Sequence, residues 1–429
     1  MSIPLDRLYD HLYHKSNHDM LIYGWIPHGS KKLEDFRLLH PTSDRCWTYE
    51  MTTPIMIMHD QEPLQFDLWS RDDFAQAWAR HLVKRKRIEH RRNIKFIEYQ
   101  INLHLRGVTT QGSNFYDYTI IAHSEQNSDQ VEQYKQNGFI PVYFWSHALI
   151  AADWFRYAQH DPLLKHHIEN ISQDFLIYNR AWSGTREYRL TFTEMLANST
   201  IASNCQTTFS PVDDGQHYTQ HEFKNPTLQI NHNRLQEIFA LNKHPSSASA
   251  DYNSLDYNQS GIEIVLETLF DDTRWHLTEK TLRPIACGKP FMLAATPGSL
   301  QYLKNYGFET FGEYINEDYD LIVDPQDRLQ AIVSEMTRIA ELSNEQKRKL
   351  WQQLHVISNR NQQKFFNTAW QDSIEQEFYY NLNHAINKMK QNCTGKHWKK
   401  LKTVLSSIGS FNFDPEDIQI LDHWLEQHN

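Results

Sequence analysis

The sequence predicts an α/β protein with two parallel-sheet domains and a helical C-terminal extension. Three observations carry this expectation. The chain has 429 residues, more than one compact core usually holds, so two domains plus an extension are expected. Short apolar runs alternate with helical stretches through the first 340 residues, the pattern of successive βαβ units. From about residue 343 to 390 the periodicity is helical. The expected boundaries are an N-terminal α/β domain over 1–165, a C-terminal α/β domain over 166–340 and a helical extension over 341–429.

Taken in order, 21–25 (Leu-Ile-Tyr-Gly-Trp) and 55–59 (Ile-Met-Ile-Met-His) are expected strands that end in polar loops. Helical spacing of Phe74, Ala77, Trp78, His81, Leu82 and Arg85 predicts a helix over 72–92. A strand over 118–123, a helix over 131–138 closed by Gly138 and a strand over 140–145 form a βαβ unit. A break at Gln159-His160-Asp161-Pro162 precedes a fresh strand, 175–179, which leads into a helix from about 186 to 197. Residues 204–260 are polar and weakly periodic, and are expected to be loops and short elements that order in part on ligand binding. A strand over 262–268, a helix opened by Pro297-Gly298-Ser299 and a last strand at Leu321-Ile322-Val323 complete the second sheet.

Hydrophobic residues make up 40% and aromatic residues 13% of the chain, a globular composition with aromatic rings to spare for binding clefts. No window approaches eighteen uninterrupted apolar residues, so no membrane span is expected. The N-terminus carries no basic-then-apolar signal, and Cys46, Cys205, Cys287 and Cys393 lie far apart without metal spacing. A reduced cytoplasmic protein with no structural zinc is the expectation. The net charge of −10 argues against a wholly nucleic-acid-binding surface. Two basic islands stand out against it: 84–95, with Lys84, Arg85, Arg87, Arg91 and Arg92, and 388–402, with six lysines and no acid. They are candidate polyanion contacts, although a solvated helix face has the same composition.

Residues 276–293 (His-Leu-Thr-Glu-Lys-Thr-Leu-Arg-Pro-Ile-Ala-Cys-Gly-Lys-Pro-Phe-Met-Leu) carry the most chemistry. Thr278, Glu279 and Lys280 fall at an expected helix start, where backbone N–H groups and the helix dipole favour anions. Lys280 adds a full charge for a phosphate, and Glu279 can accept hydrogen bonds from ribose hydroxyls. An ordinary αβ unit with solvated charges fits the same segment. Arg180 and Arg186 flank the turn after the 175–179 strand, and guanidinium groups suit phosphates because they donate in pairs. Arg189, one turn further on, also fits pairing with an acid. In His59-Asp60-Gln61-Glu62-Pro63, Glu62 or Asp60 could serve as a general base; a strand-capping turn is the alternative. His59, His123 and His147 close other expected strands or begin the turns after them, and unmetallated polar roles suit them better than a shared metal.

Asn179, Arg180 and Arg186, then Glu267, then Thr278-Glu279-Lys280 and Gly288-Lys289-Pro290 together resemble the donor domain of fucosyltransferase-like glycosyltransferases of the GT-B fold. The 60–64 and Thr-Glu-Lys segments also resemble uncharacterised glycosyltransferase-like proteins encoded by bacteriophages. The resemblance implies two Rossmann-like domains facing a cleft, an acceptor-side domain over 1–165 and a nucleotide-sugar-binding domain over 166–340. It implies inverting, metal-independent transfer from a UDP- or GDP-linked sugar, with no cofactor beyond that co-substrate. The donor would be held by Asn179, Arg180, Arg186, Glu267, Thr278, Glu279 and Lys280, with Glu62 or Asp60 as base. The family's Glu-Ser-Pro loop is matched here by Glu62-Pro63 without the Ser. A hydroxylated base in phage DNA is one acceptor consistent with the basic islands, which would place the enzyme in the host cytoplasm. A glycan or small-molecule acceptor, and a non-catalytic nucleotide- or nucleic-acid-binding protein, are the alternatives.

Overall fold

In a computed structural model, which describes residues 21–26, 37–38, 55–60, 119–136, 140–165, 168–230, 235 and 251–392, the apolar runs pair into two separate parallel sheets. The chain divides into two compact units. Among the described residues, one unit holds Glu125–Ser128 and His147–Ser373. The other holds the first five strands, the first helix and the chain from Ile374 onward.

The first sheet comprises β1 (Leu21–Ile26), β2 (Arg37–Leu38), β3 (Ile55–Asp60), β4 (Thr119–His123) and β5 (Ile140–Tyr143), in the order β2-β1-β3-β4-β5. All neighbours run parallel except the short edge strand β2. The helix α1 (Asp129–Gln136) links β4 to β5 and lies two residues earlier at each end than the expected 131–138. It carries Asp129 and Glu132 in its first turn and Lys135 in its last, which complements the helix dipole. The parallel strands here succeed one another in chain order, so among the described residues this sheet shows no reversal of strand order. Glu62 and the basic segment 84–95 lie outside the described residues, as does the expected helix over 72–92.

The second sheet comprises β6 (Gln173–Asn179), β7 (Cys205–Phe209), β10 (Ser260–Leu266) and β11 (Phe291–Ala294), in the order β11-β10-β6-β7 and parallel throughout. β6, β10 and β11 are almost wholly buried, as strands covered on both faces must be. The helix α2 (Ser146–Trp154) precedes β6, and α3 (Tyr188–Ala197) follows it. The short helix α4 (Ser254–Gln259) leads into β10, and α5 (Glu279–Ala286) connects β10 to β11. Gly288, at φ 66°, ends α5 in the left-handed conformation that an L side chain resists.

The short elements expected within 204–260 include β7, Cys205–Phe209, and the hairpin of β8 (Val212–Asp213) and β9 (Gln216–His217). Its turn, Asp214-Gly215, has φ of 50° and 76°, the two left-handed residues that an Asp-Gly hairpin turn requires. Leu321-Ile322-Val323 is not a strand; a 3₁₀ turn, Asp318–Leu321, occupies its start, and Leu321 and Val323 are exposed. Before that turn comes α6 (Ser299–Asn305), and after it come α7 (Pro325–Ala340), α8 (Asn344–Phe365) and α9 (Thr368–Asn392). A reciprocal capping box of Ser343 and Gln346 starts α8.

Candidate functional site

The carboxyl edge of the second sheet carries the candidate site. From β6 the chain moves outward to β7, then crosses back over β6 to reach β10 and β11. The strand order therefore reverses between β6 and β10, and in open α/β sheets the crevice at such a reversal is where ligands sit. Asn179 ends β6, Glu267 follows β10, and Thr278-Glu279-Lys280 starts α5.

Glu267 is fully buried, and its carboxylate gathers five donors. Oε1 accepts from the Thr278 N–H (3.0 Å), the Thr281 N–H (3.2 Å) and the Thr281 hydroxyl (2.6 Å). Oε2 accepts from the Thr268 N–H (3.0 Å) and the Thr278 hydroxyl (2.8 Å). A strand-end carboxylate thus caps the helix beside it, where the dipole favours negative charge. This changes the expected anion site. The N–H of Thr281 is taken by Glu267, and that of Lys280 is directed at the Thr278 hydroxyl (3.4 Å). Charge for an anion must come from side chains.

Lys280 supplies one such charge. Its ammonium reaches Thr268 Oγ1 and Thr278 Oγ1, each at 3.2 Å, and Glu279 Oε1 at 2.8 Å, with its side chain 12% exposed. Glu279 itself is buried, and its second oxygen lies 3.6 Å from His147 Nδ1 in the first turn of α2. The His276 ring stands edge-on to His147, centroids 5.1 Å apart. On the loop before α5, Arg274 pairs with Asp272 (2.5 Å) and with Glu125 (3.5 Å). Trp275 exchanges backbone hydrogen bonds with Gln126, both 2.9 Å.

The first turn of α3 fastens the strand ends together. The Arg189 guanidinium donates to the carbonyls of Ala181 (2.6 Å), Leu266 (2.5 Å) and Glu267 (3.0 Å). The Tyr188 hydroxyl donates to Glu267 O (2.6 Å), with Ala294 O at 3.3 Å, while its ring stacks on Phe270 at 4.2 Å. Burial, only partly opposed by Arg189, pushes the Tyr188 hydroxyl up to about 12, so it stays a donor. Asn179 is turned the same way, its carboxamide donating to Thr193 Oγ1 (2.7 Å) and Arg189 O (3.3 Å).

The loop between β6 and α3 is fixed from the hairpin. Asp213 Oδ2 accepts from the N–H groups of Trp182 (2.8 Å) and Ser183 (2.6 Å). Partial burial pushes the Asp213 carboxyl up, but these bonds and the nearby Arg186 outweigh it and hold the group below its usual range. On this loop Arg180 is exposed and Arg186 half-buried.

The residues singled out by sequence therefore divide. Arg180, Arg186 and Lys280 are cations at the switch point. Asn179, Glu267 and Thr278 are buried and bonded into the scaffold, and Glu279 is buried behind Lys280. Asp60 is the last residue of β3, at the carboxyl edge of the first sheet; Glu62, Lys84, Arg85, Arg87, Arg91 and Arg92 lie outside the described residues. Tyr188, Asp213 and His276 were not singled out. Asp213-Asp214-Gly215 carried a readable hairpin signal, whereas nothing in the spacing of Tyr188 marks its reach to β10. Among the described residues no group of three or more His, Cys, Asp or Glu side chains is arranged to hold a metal, and no helix is long and apolar enough to cross a membrane. No protein-family model, curated protein or solved structure matches the chain.

Proposed function

We propose that the protein is a glycosyltransferase that takes its sugar from a nucleotide-diphosphate donor held at the β6–β10 switch point. The observation that carries this reading is the placement of three cations, the exposed Arg180, the half-buried Arg186 and Lys280 with 12% of its side chain exposed, just after the adjacent strands β6 and β10. They lie beside Arg189 and Glu267, which are bonded into the strand ends. Such a site suits a diphosphate: its charges are held at the strand ends before the ligand arrives, and Lys280 exchanges part of its pairing with Glu279 for the ligand. The reaction is a single displacement. The acceptor oxygen attacks the anomeric carbon and its proton passes to a carboxylate, Glu62 or Asp60. The bond from that carbon to the diphosphate oxygen breaks, and the electron pair leaves with the diphosphate. Lys280, Arg180 and Arg186 stabilise the charge that builds there. Displacement from the opposite face inverts the sugar, and none of these steps needs a metal. In this reading the two units act as the two halves of a GT-B enzyme.

For the acceptor, the basic islands at 84–95 and 388–402 support a polyanion, a hydroxylated base in DNA being the member of that class that offers an alcohol. The test of the donor is a thermal-shift screen against UDP- and GDP-sugars. A ligand at one hundred times its dissociation constant adds about 2.7 kcal/mol of stability, and a panel without any shift overturns the proposal. With a donor in hand, Glu62→Gln should abolish transfer while donor affinity stays within twofold; a binding protein would be indifferent to it.

A further inference from the structure

The carboxylate expected to meet a ribose is instead buried, between Lys280 on one side and His147 on the other. Glu279 Oε1 holds the Lys280 ammonium at 2.8 Å, and Oε2 lies 3.6 Å from His147 Nδ1. The side-chain exposures of His147, Glu279 and Lys280 are 1%, 3% and 12%. The three form a line from the interior to the surface, with the titratable imidazole at its dry end. Among the groups facing this line are His276, edge-on to His147, and the hydroxyls of Thr268 and Thr278 on Lys280. Arg274, on the same loop as His276, is paired with Asp272 and Glu125.

We propose that His147 is a positioning residue for the anion site and the proton acceptor linked to its occupancy. This rests on the reading of Lys280 as a phosphate ligand. With the site empty, Glu279 and Lys280 balance one another, and His147 need carry no charge. When a diphosphate takes up the charge of Lys280, Glu279 loses part of its compensation in a place where water cannot replace it. A proton on His147 Nδ1 restores the balance, and the imidazolium then holds Glu279, and through it Lys280, in the geometry the ligand needs. Imidazole is the side chain suited to this exchange, because it changes charge near neutral pH. Linkage fixes the sign: if binding takes up a proton, affinity rises as pH falls through the titration of His147, by up to tenfold per pH unit. His147 touches neither ligand nor reacting atoms in this arrangement.

The test uses the full-length protein with inorganic pyrophosphate, GDP and UDP, titrated calorimetrically from pH 6 to 8.5 in buffers of different ionisation enthalpy. Wild type should take up a fraction of a proton beyond that due to the ligand's own titration, and bind more tightly at the acid end. His147→Gln should bind each probe with a pH profile set by the ligand alone, and about tenfold more weakly at pH 6.5. His147→Asn serves as a second variant, and far-ultraviolet circular dichroism with the melting temperature confirms that both fold. Identical pH profiles and proton counts in wild type and folded variants overturn this proposal while leaving the anion site intact. Failure of all three probes to bind wild type overturns the site reading, and this proposal with it.

Discussion

Arg189, Arg283 and Arg328 belong to the same unit as Arg180, Arg186 and Lys280, yet the inner three are consumed by the fold while the outer three stand where a ligand can reach them. Arg283 pairs with the buried Glu263 carboxylate and donates to the Tyr257 hydroxyl (3.1 Å). Arg328 donates to the carbonyls of Ile322, Val323 and Phe270 and lies 4.0 Å from the centroid of the Phe270 ring. Arg189 gathers three carbonyls at the strand ends. What separates the sets is burial. The inner guanidiniums spend their donors on carbonyls and a buried carboxylate and so set distances between loops. In the outer set Arg180 is exposed, Arg186 half-buried, and Lys280, paired with Glu279, keeps 12% of its side chain exposed.

The sharpest way to break this contrast is Arg283→Met. Removing one partner of a buried ion pair strands the other, so stability should fall by about 3–5 kcal/mol, and pairing the change with Glu263→Leu should recover most of it. Urea unfolding measures both; a single variant as stable as wild type would show that the pair does not stabilise the core. Arg189→Met should follow, at about 2–4 kcal/mol, because it leaves buried carbonyls without their donor. It should also weaken nucleotide binding by loosening the 180–187 loop; unchanged unfolding midpoints would refute the fastening role.

Asp320 makes the converse case of a buried charge that opposes the fold. It accepts from the Leu300 N–H at 3.1 Å, but burial, with Glu317 nearby, pushes its carboxyl up to about 6. A folded-state acid raised in this way binds protons more tightly than the unfolded chain does. Stability therefore declines as pH rises from about 4 to about 6, and the full penalty is present at pH 7. Asp320→Asn keeps an acceptor oxygen, so it should gain about 2 kcal/mol at pH 7 and nothing at pH 4. A gain that does not change with pH would mean that titration of Asp320 is not its source. The smallest change in stability belongs to the rim: Arg186→Ala and Lys280→Met should each lower pyrophosphate or nucleotide affinity about 10- to 100-fold. Arg186→Ala should stay within about 0.5 kcal/mol of wild type in unfolding free energy. Lys280→Met instead strands the buried Glu279 carboxylate and should cost about 1–3 kcal/mol, recovered in part by Glu279→Gln. Loss of folding in Arg186→Ala would move that residue to the inner set.

The strands and α5 were legible because their signals are local: apolar runs bounded by turns, and Thr278 at a helix start. β7 was missed because Cys205-Gln206-Thr207-Thr208-Phe209 alternates weakly and sits among polar residues, although its two threonines suit a strand. α7 was missed beside the expected strand at 321–323, which three apolar residues suggested and a 3₁₀ turn displaced. In the site, residue type and spacing located the cations at the switch point. They could not say which way Asn179 or Glu267 faces, since that depends on Thr193 of α3 meeting Asn179 and on Thr278 and Thr281 at the start of α5 meeting Glu267. Nor could spacing bring His147 to Glu279, 132 residues apart in the chain (279 minus 147).

The Tyr188 hydroxyl, which meets Glu267 O and Ala294 O, has a consequence for the order of events in the life of the chain. The loop after β6 is tied to Asp213, about thirty residues on, and Tyr188 and Arg189 to strand ends 77 to 106 residues on. During synthesis the 180–187 loop emerges well before these partners exist, and closing such long loops is slow. The proposed anion site would therefore be assembled after β11 has joined the sheet. A nascent chain halted short of residue 294 would display its arginines without the geometry that makes them a site, so nucleotide affinity should appear late and all at once as the chain is lengthened.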